Sequence, residues 1–238
     1  MRTKTHIVGL DKMLNGGLVR NRSIMLSGPT GVGKSILAMQ YLYNGVIKHK
    51  EPGLYVTLKE DKNNIIRDMT ELGFDIKNLE TNKKIQIIGG RINNLKTYMG
   101  KVNANIHHVI TEIEEVVKEN NVKRVVIDSL NHFVSLNDKE DVREIITKLC
   151  HKLSELGCTT ILVSEKDNQM SRISKEGIEE FIVDGIISIH KANKKSGFKH
   201  GIKINKMRGT SHDKETRLFE ITPKGVVVYH KEKYFHED

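Results

Sequence analysis

Eight consecutive residues, Gly28-Pro29-Thr30-Gly31-Val32-Gly33-Lys34-Ser35, match G-x-x-x-x-G-K-[ST] at every position. Glycines there let the backbone wrap closely around a phosphate and point successive N–H groups inward. The helix that follows adds the positive end of its dipole. Lys34 is then placed to reach the β- and γ-phosphates, and Ser35 to offer a hydroxyl to Mg2+. The expected nucleotide-binding residues are Thr30, Gly31, Val32, Gly33, Lys34, Ser35 and Ile36, with Lys34 also catalytic. A second signal is the run Val125-Val126-Ile127 ending in Asp128. An aspartate at the end of a strand next to the phosphate loop holds the metal shell, in part through water. The competing reading, an aspartate that caps the next segment, is weaker after such a loop. Ser35 and Asp128 are the expected Mg2+ residues, and ATP with Mg2+ the expected cofactors.

These residues need a scaffold, and the hydrophobic pattern supplies one. Ser23–Ser27, Leu54–Leu58, Lys84–Ile88, Arg124–Asp128 and Thr159–Ser164 are short apolar runs that read as buried strands. Between them, Ser35–His49, Lys62–Leu72, Ile106–Asn120 and Asp141–Leu156 repeat apolar residues at helical spacing. Such alternation predicts a mostly parallel sheet covered by helices on both faces. After Phe181 the pattern changes to short strands, Gly185–Ile189, Ile202–Lys206, Thr216–Ile221 and Val226–Tyr229, separated by turns. They predict an antiparallel C-terminal extension of the same sheet. Three prolines and no Gly/Ser-rich linker favour one domain over residues 1–238.

Composition removes several classes. No run approaches 18 apolar residues, so no transmembrane helix is expected, and the opening residues lack the apolar core of a signal peptide. Cys150 and Cys158 have neither disulfide-scaffold nor zinc spacing, which points to the cytoplasm. The net charge of +9 invites a polyanion: nucleic acid, an anionic surface or a phosphate-rich ligand.

Other segments carry a family likeness. Gly9-Leu10-Asp11 through Gly16-Gly17-Leu18, Glu179-Glu180-Phe181 with Asp184, and Lys206-Met207-Arg208-Gly209-Thr210-Ser211-His212 are similar to three segments of the KaiC-like branch of RecA-type P-loop ATPases. With the phosphate loop they make the chain resemble that family, named after the cyanobacterial clock ATPase, along nearly its whole length. Single-domain members of this kind are widespread in archaea. The resemblance implies a RecA-like P-loop NTPase fold and a homo-oligomeric ring, commonly a hexamer, with ATP at subunit interfaces. It also implies that Lys206, Met207, Arg208, Thr210 and His212 act across the interface on a neighbour's nucleotide. A cation supplied that way stabilises charge on the γ-phosphoryl oxygens. The sequence departs from the family after the second strand, where two glutamates are usual and Lys59-Glu60-Asp61 stands here. A charged lysine has no lone pair with which to polarise water, so Glu60 is the candidate catalytic base and Asp61 a poorer one. Glu165, after the strand ending at Ser164, is a candidate γ-phosphate sensor or a capping residue.

The leading expectation is therefore an Mg2+-dependent ATPase or nucleotide switch, signalling to an unidentified protein partner. The runner-up is a RecA-like nucleic-acid-binding recombinase or translocase, suggested by Lys191, Lys194, Lys195, Lys199, His200, Lys203, Lys206 and Arg208. That run has no interleaved aromatic residue apart from Phe198, and stacking is what single-strand channels use. Autophosphorylation, with no serine or threonine assignable as acceptor, is the third reading, and an ATP-bound scaffold with little hydrolysis, motivated by Lys59, is the fourth.

Overall fold

The computed structural model describes residues 1–57, 60–89, 102–131, 139–165, 182–194 and 197–233. Strands β1 (Arg2–Thr3) and β2 (Leu18–Val19) form a small antiparallel pair around helix α1 (Leu10–Met13). The main sheet contains β3 (Ser23–Gly28), β4 (Gly53–Thr57), β5 (Ile85–Ile88), β6 (Arg124–Asp128), β7 (Thr159–Glu165), β8 (Gly185–Lys194), β9 (Gly197–Met207), β10 (Arg217–Thr222) and β11 (Gly225–Lys233). Its order is β11-β10-β9-β8-β3-β7-β6-β4-β5. From β8 to β5 every pairing is parallel, and β9, β10 and β11 complete the sheet antiparallel. Helices α2 (Lys34–His49), α3 (Lys62–Glu71), α4 (Ile76–Thr81), α5 (Val102–Glu119) and α6 (Lys139–Glu155) complete the described elements.

Successive strand side chains enter two different cores. Ile24 and Leu26 of β3, Tyr55 of β4, Val126 of β6, and Ile161 and Val163 of β7 share one apolar cluster with Leu37, Met39 and Leu42 of α2. Their neighbours Met25, Leu54, Val56, Val125, Ile127 and Leu162 share the other with Val109 and Ile113 of α5 and Ile146 and Leu149 of α6. Period-two alternation with both faces apolar is why these strands read as unbroken hydrophobic runs. Both cysteines are free and buried, and burial pushes each thiol up to about 11.

Two expectations are corrected, and one element was absent from them. The first strand after Phe181 does not begin the antiparallel extension, because β8 pairs parallel with β3 and only β9 reverses. The aspartate strand β6 is not adjacent to β3, since β7 lies between them. Helix α4 was not expected. It has six residues with one fully buried, Ile76, so it shows no apolar period, and Asp75 caps it by accepting from Asn78 N at 3.3 Å.

Beneath the sheet sits a charge the pattern did not announce. Arg124 opens β6 and is fully buried. Its Nε and Nη2 each lie 2.7 Å from Glu51 Oε2, while Nη1 donates to Lys4 O at 2.9 Å and Tyr41 O at 3.1 Å. The guanidinium lies 4.8 Å from the centroid of the Tyr41 ring. Gly45 of α2 makes room for it, since a Cβ there would lie 2.3 Å from Arg124 Nε.

Two histidines make stability depend on pH. Burial and then the adjacent His49 ring lower the pKa of His6, and burial followed by Lys191 lowers that of His200. The unfolded chain takes up these protons near pH 6.5, and the folded chain only at lower pH. Between those values the unfolded state binds more protons, so stability falls as pH drops. Thermal melting between pH 7.5 and 5 is expected to show a declining midpoint. Replacing both His6 and His200 with glutamine should flatten that decline, and an unchanged slope would contradict the assignment.

Candidate nucleotide site

The carboxyl ends of β3, β4, β6 and β7 lie side by side, and the residues that could do chemistry follow them. The phosphate loop leaves β3 at Gly28 and enters α2 at Lys34. Gly33, the N-cap of α2, has φ 88°, a left-handed conformation that side chains resist. A Cβ there would also lie 2.5 Å from Ile221 Cδ1 of β10. Thr30, Gly31, Gly33, Lys34, Ser35 and Ile36 line a cleft of about 310 Å3 with Tyr55, Thr57, Glu60, Asp128, Ser129, Glu165 and Ile221. Of the expected nucleotide-binding residues only Val32 stands apart, with its side chain fully buried in the core on the α2 face.

Lys34 is 7% exposed, and its ammonium donates to Gly28 O at 2.9 Å and Pro29 O at 2.7 Å. Burial lowers its pKa, and the carboxylates of Glu165 and Asp128 oppose that shift. A cation so poorly hydrated gains more from an anionic ligand than one in open water. Ser35 Oγ donates to Asp128 Oδ2 at 2.6 Å. A hydroxyl and a carboxylate in contact are the hard oxygen donors that Mg2+ takes, so this pair fits that ion. Among the described residues no group of three or more His, Cys, Asp or Glu side chains forms another metal cluster.

The structure separates the candidate bases. Thr57 Oγ1 donates to Glu60 O at 3.1 Å and accepts from Glu60 N at 2.9 Å, which holds Glu60 beside the end of β4 at the cleft. Asp61 is spent as the N-cap of α3, accepting from Asn63 N at 2.8 Å. Glu165 also reaches the cleft. Its backbone is pinned by Asn131, whose Oδ1 accepts from Glu165 N at 2.7 Å and whose Nδ2 donates to Glu165 O at 3.0 Å.

Three lining residues, Tyr55, Thr57 and Ile221, escaped the sequence reading. Ile221 comes from the far, antiparallel side of the sheet, which local pattern cannot connect to the loop. Tyr55 lies on a buried strand, and its hydroxyl donates to Asp128 Oδ2 at 2.6 Å. A lone phenol in an aliphatic run was the available signal. Expectations for Lys59, Glu179, Glu180, Phe181 and Lys195 concern positions outside the described residues.

The segment expected to act across an interface lies elsewhere. Met207 pairs with Gly185, which pairs with Ile24 at the start of β3. At ~3.3 Å per residue, roughly 13 Å of strand separates that end from Gly28. Lys206 Nζ donates to Val183 O at 2.7 Å. Arg208 is not on the strand with it but in the turn that follows, 3.9 Å from Asp184 Oδ1. Thr210 accepts from Arg2, and the His212 ring contacts Asp213 O at 3.0 Å through Nδ1. These residues stand at the opposite end of the parallel strands from the phosphate loop of their own chain.

Comparison with known proteins identifies the family and the fold. Residues 3–233 match the family model described as ATPase: KaiC. The chain is 34% identical over 237 residues to a UPF0273 protein of Thermotoga maritima, covering 97% of each. It is 30% identical over 230 residues to the circadian clock oscillator protein KaiC of Synechococcus elongatus, covering 96% of this chain and 44% of that one. It therefore spans less than half the length of that relative. Among solved structures, a KaiC-like protein from Pyrococcus horikoshii superimposes with a TM-score of 0.84 at 37% identity, covering 96% of this chain and 99% of that one.

Proposed function

The chain belongs to the KaiC ATPase family, and from that premise we propose that it is an Mg2+-dependent ATPase working as a homo-oligomeric ring. The observation that carries the reading is the meeting of Lys34, Ser35, Asp128, Glu60 and Glu165 at one cleft. The distant placement of Lys206 and Arg208 supports the ring, because at that end of the sheet they lie away from their own phosphate loop and would act on a neighbour's nucleotide. Lys34 turns from the loop carbonyls to the β- and γ-phosphates, and Ser35 with Asp128 holds Mg2+. When bound, that ion neutralises charge on the phosphate oxygens. Glu60 orients the attacking water and accepts its proton. Arg208 and Lys206 of the adjacent subunit stabilise the charge that develops on the γ-phosphoryl oxygens. A hexamer of one-domain subunits, in the cytoplasm, signalling through its nucleotide state to a protein partner, is the full reading. No described helix is long and apolar enough to cross a membrane.

The test combines mass in solution with phosphate release on one sample. ATP with Mg2+ is expected to yield a hexamer that releases phosphate. Glu60→Gln should slow release by ~100-fold or more while ATP binding is retained. A monomer under every condition removes the interface reading, and undiminished release by Glu60→Gln removes Glu60 as the base.

A further inference from the structure

Asp128 Oδ2 accepts two hydrogen bonds, from Ser35 Oγ and from Tyr55 OH, each at 2.6 Å. Only one of the two donors is committed in every state. Ser35 is the residue whose hydroxyl would turn toward Mg2+, and doing so removes its bond to the carboxylate. Tyr55 cannot follow. Its ring is 1% exposed, held in the apolar cluster between the sheet and α2, and its hydroxyl reaches the cleft only at its tip.

We propose that Tyr55 is a positioning residue for the metal: its hydroxyl anchors Asp128 Oδ2 in the absence and presence of Mg2+, leaving Oδ1 to serve the metal shell. The inference rests on the assignment of Ser35 and Asp128 as the Mg2+ residues. A carboxylate that keeps one anchored oxygen gives up less rotational freedom when the ion arrives than one that must be recruited from several rotamers. Outer hydrogen bonds of this kind commonly change metal affinity by about 10-fold or more. The plainer alternative is that Asp128 merely satisfies a buried phenol. That role predicts an effect on folding and none on the response to the ion.

The experiment is Tyr55→Phe, which keeps the ring and removes the hydroxyl. Binding of a fluorescent ATP analogue is titrated in EDTA and across a range of MgCl2, with a melting curve in EDTA on the same sample. The expected result is a melting midpoint near that of the unsubstituted protein, EDTA affinity unchanged within about twofold, and half-saturating Mg2+ raised by about 10-fold or more. An identical Mg2+ dependence overturns the proposal. So does a large loss of melting temperature in EDTA with no change in Mg2+ dependence, which assigns the hydroxyl to folding alone. If the unsubstituted protein binds the analogue with no response to Mg2+, the Ser35–Asp128 assignment fails first, and this inference fails with it.

Discussion

Replacing Lys34 with alanine is expected to weaken ATP binding by ~30- to 100-fold, read by equilibrium titration. The ammonium is 7% exposed and held by Gly28 O and Pro29 O, two carbonyls of the loop that must enclose the phosphates. Without the cation those oxygens face a triphosphate with nothing between them. A charge-assisted hydrogen bond contributes about 1.5–3 kcal/mol, and every 1.4 kcal/mol is tenfold in affinity. The nearby carboxylates of Asp128 and Glu165 sharpen the effect, because removing Lys34 leaves their repulsion of the phosphates unopposed. Unaltered affinity in Lys34→Ala would remove the phosphate-loop assignment altogether.

The largest stability effect is expected far from that cleft. Glu51→Ala strips the fully buried Arg124 of its only carboxylate among the described residues. Breaking one side of a buried pair costs about 3–5 kcal/mol, because the remaining charge stays desolvated. At roughly 2–4 °C per kcal/mol for a chain of this size, the melting midpoint should fall by ~6–20 °C. Arg124→Met combined with Glu51→Ala is expected to recover part of that loss, since no charge is then stranded. The recovery is incomplete because Lys4 O and Tyr41 O also lose a donor. A shift below ~2 °C for Glu51→Ala would show that water reaches the guanidinium.

How much of this was legible depended on the range of the interaction. The strand before the phosphate loop, the helix after it and the aspartate ending β6 follow from contiguous residues, and the structure has them. Glu60 was preferred to Asp61 only from its place after the second strand, where the resemblance puts a glutamate. The two were separated by hydrogen bonds from Thr57 and Asn63, which form only in the folded chain. Arg124 read as the polar start of a strand, because burial beneath the sheet needs Glu51, Tyr41 and Lys4 folded around it. The Lys206–Arg208 segment was assigned to an interface by resemblance alone. Only the pairing of β9 with β8 placed it at the end of the sheet away from its own phosphate loop.

By itself, the sequence determined the chemistry that depends on neighbours along the chain. That includes the glycine geometry of the loop, the cation and hydroxyl that follow it, and the period-two and helical patterns that make a covered parallel sheet. Tertiary structure alone decided which strands stand beside one another. Strand order is set by packing between segments as far apart as β3 and β7, more than a hundred residues along the chain, and no local pattern encodes it. That order inserted β7 between the loop strand and the aspartate strand, brought Ile221 over Gly33, and set the Tyr55 hydroxyl on Asp128.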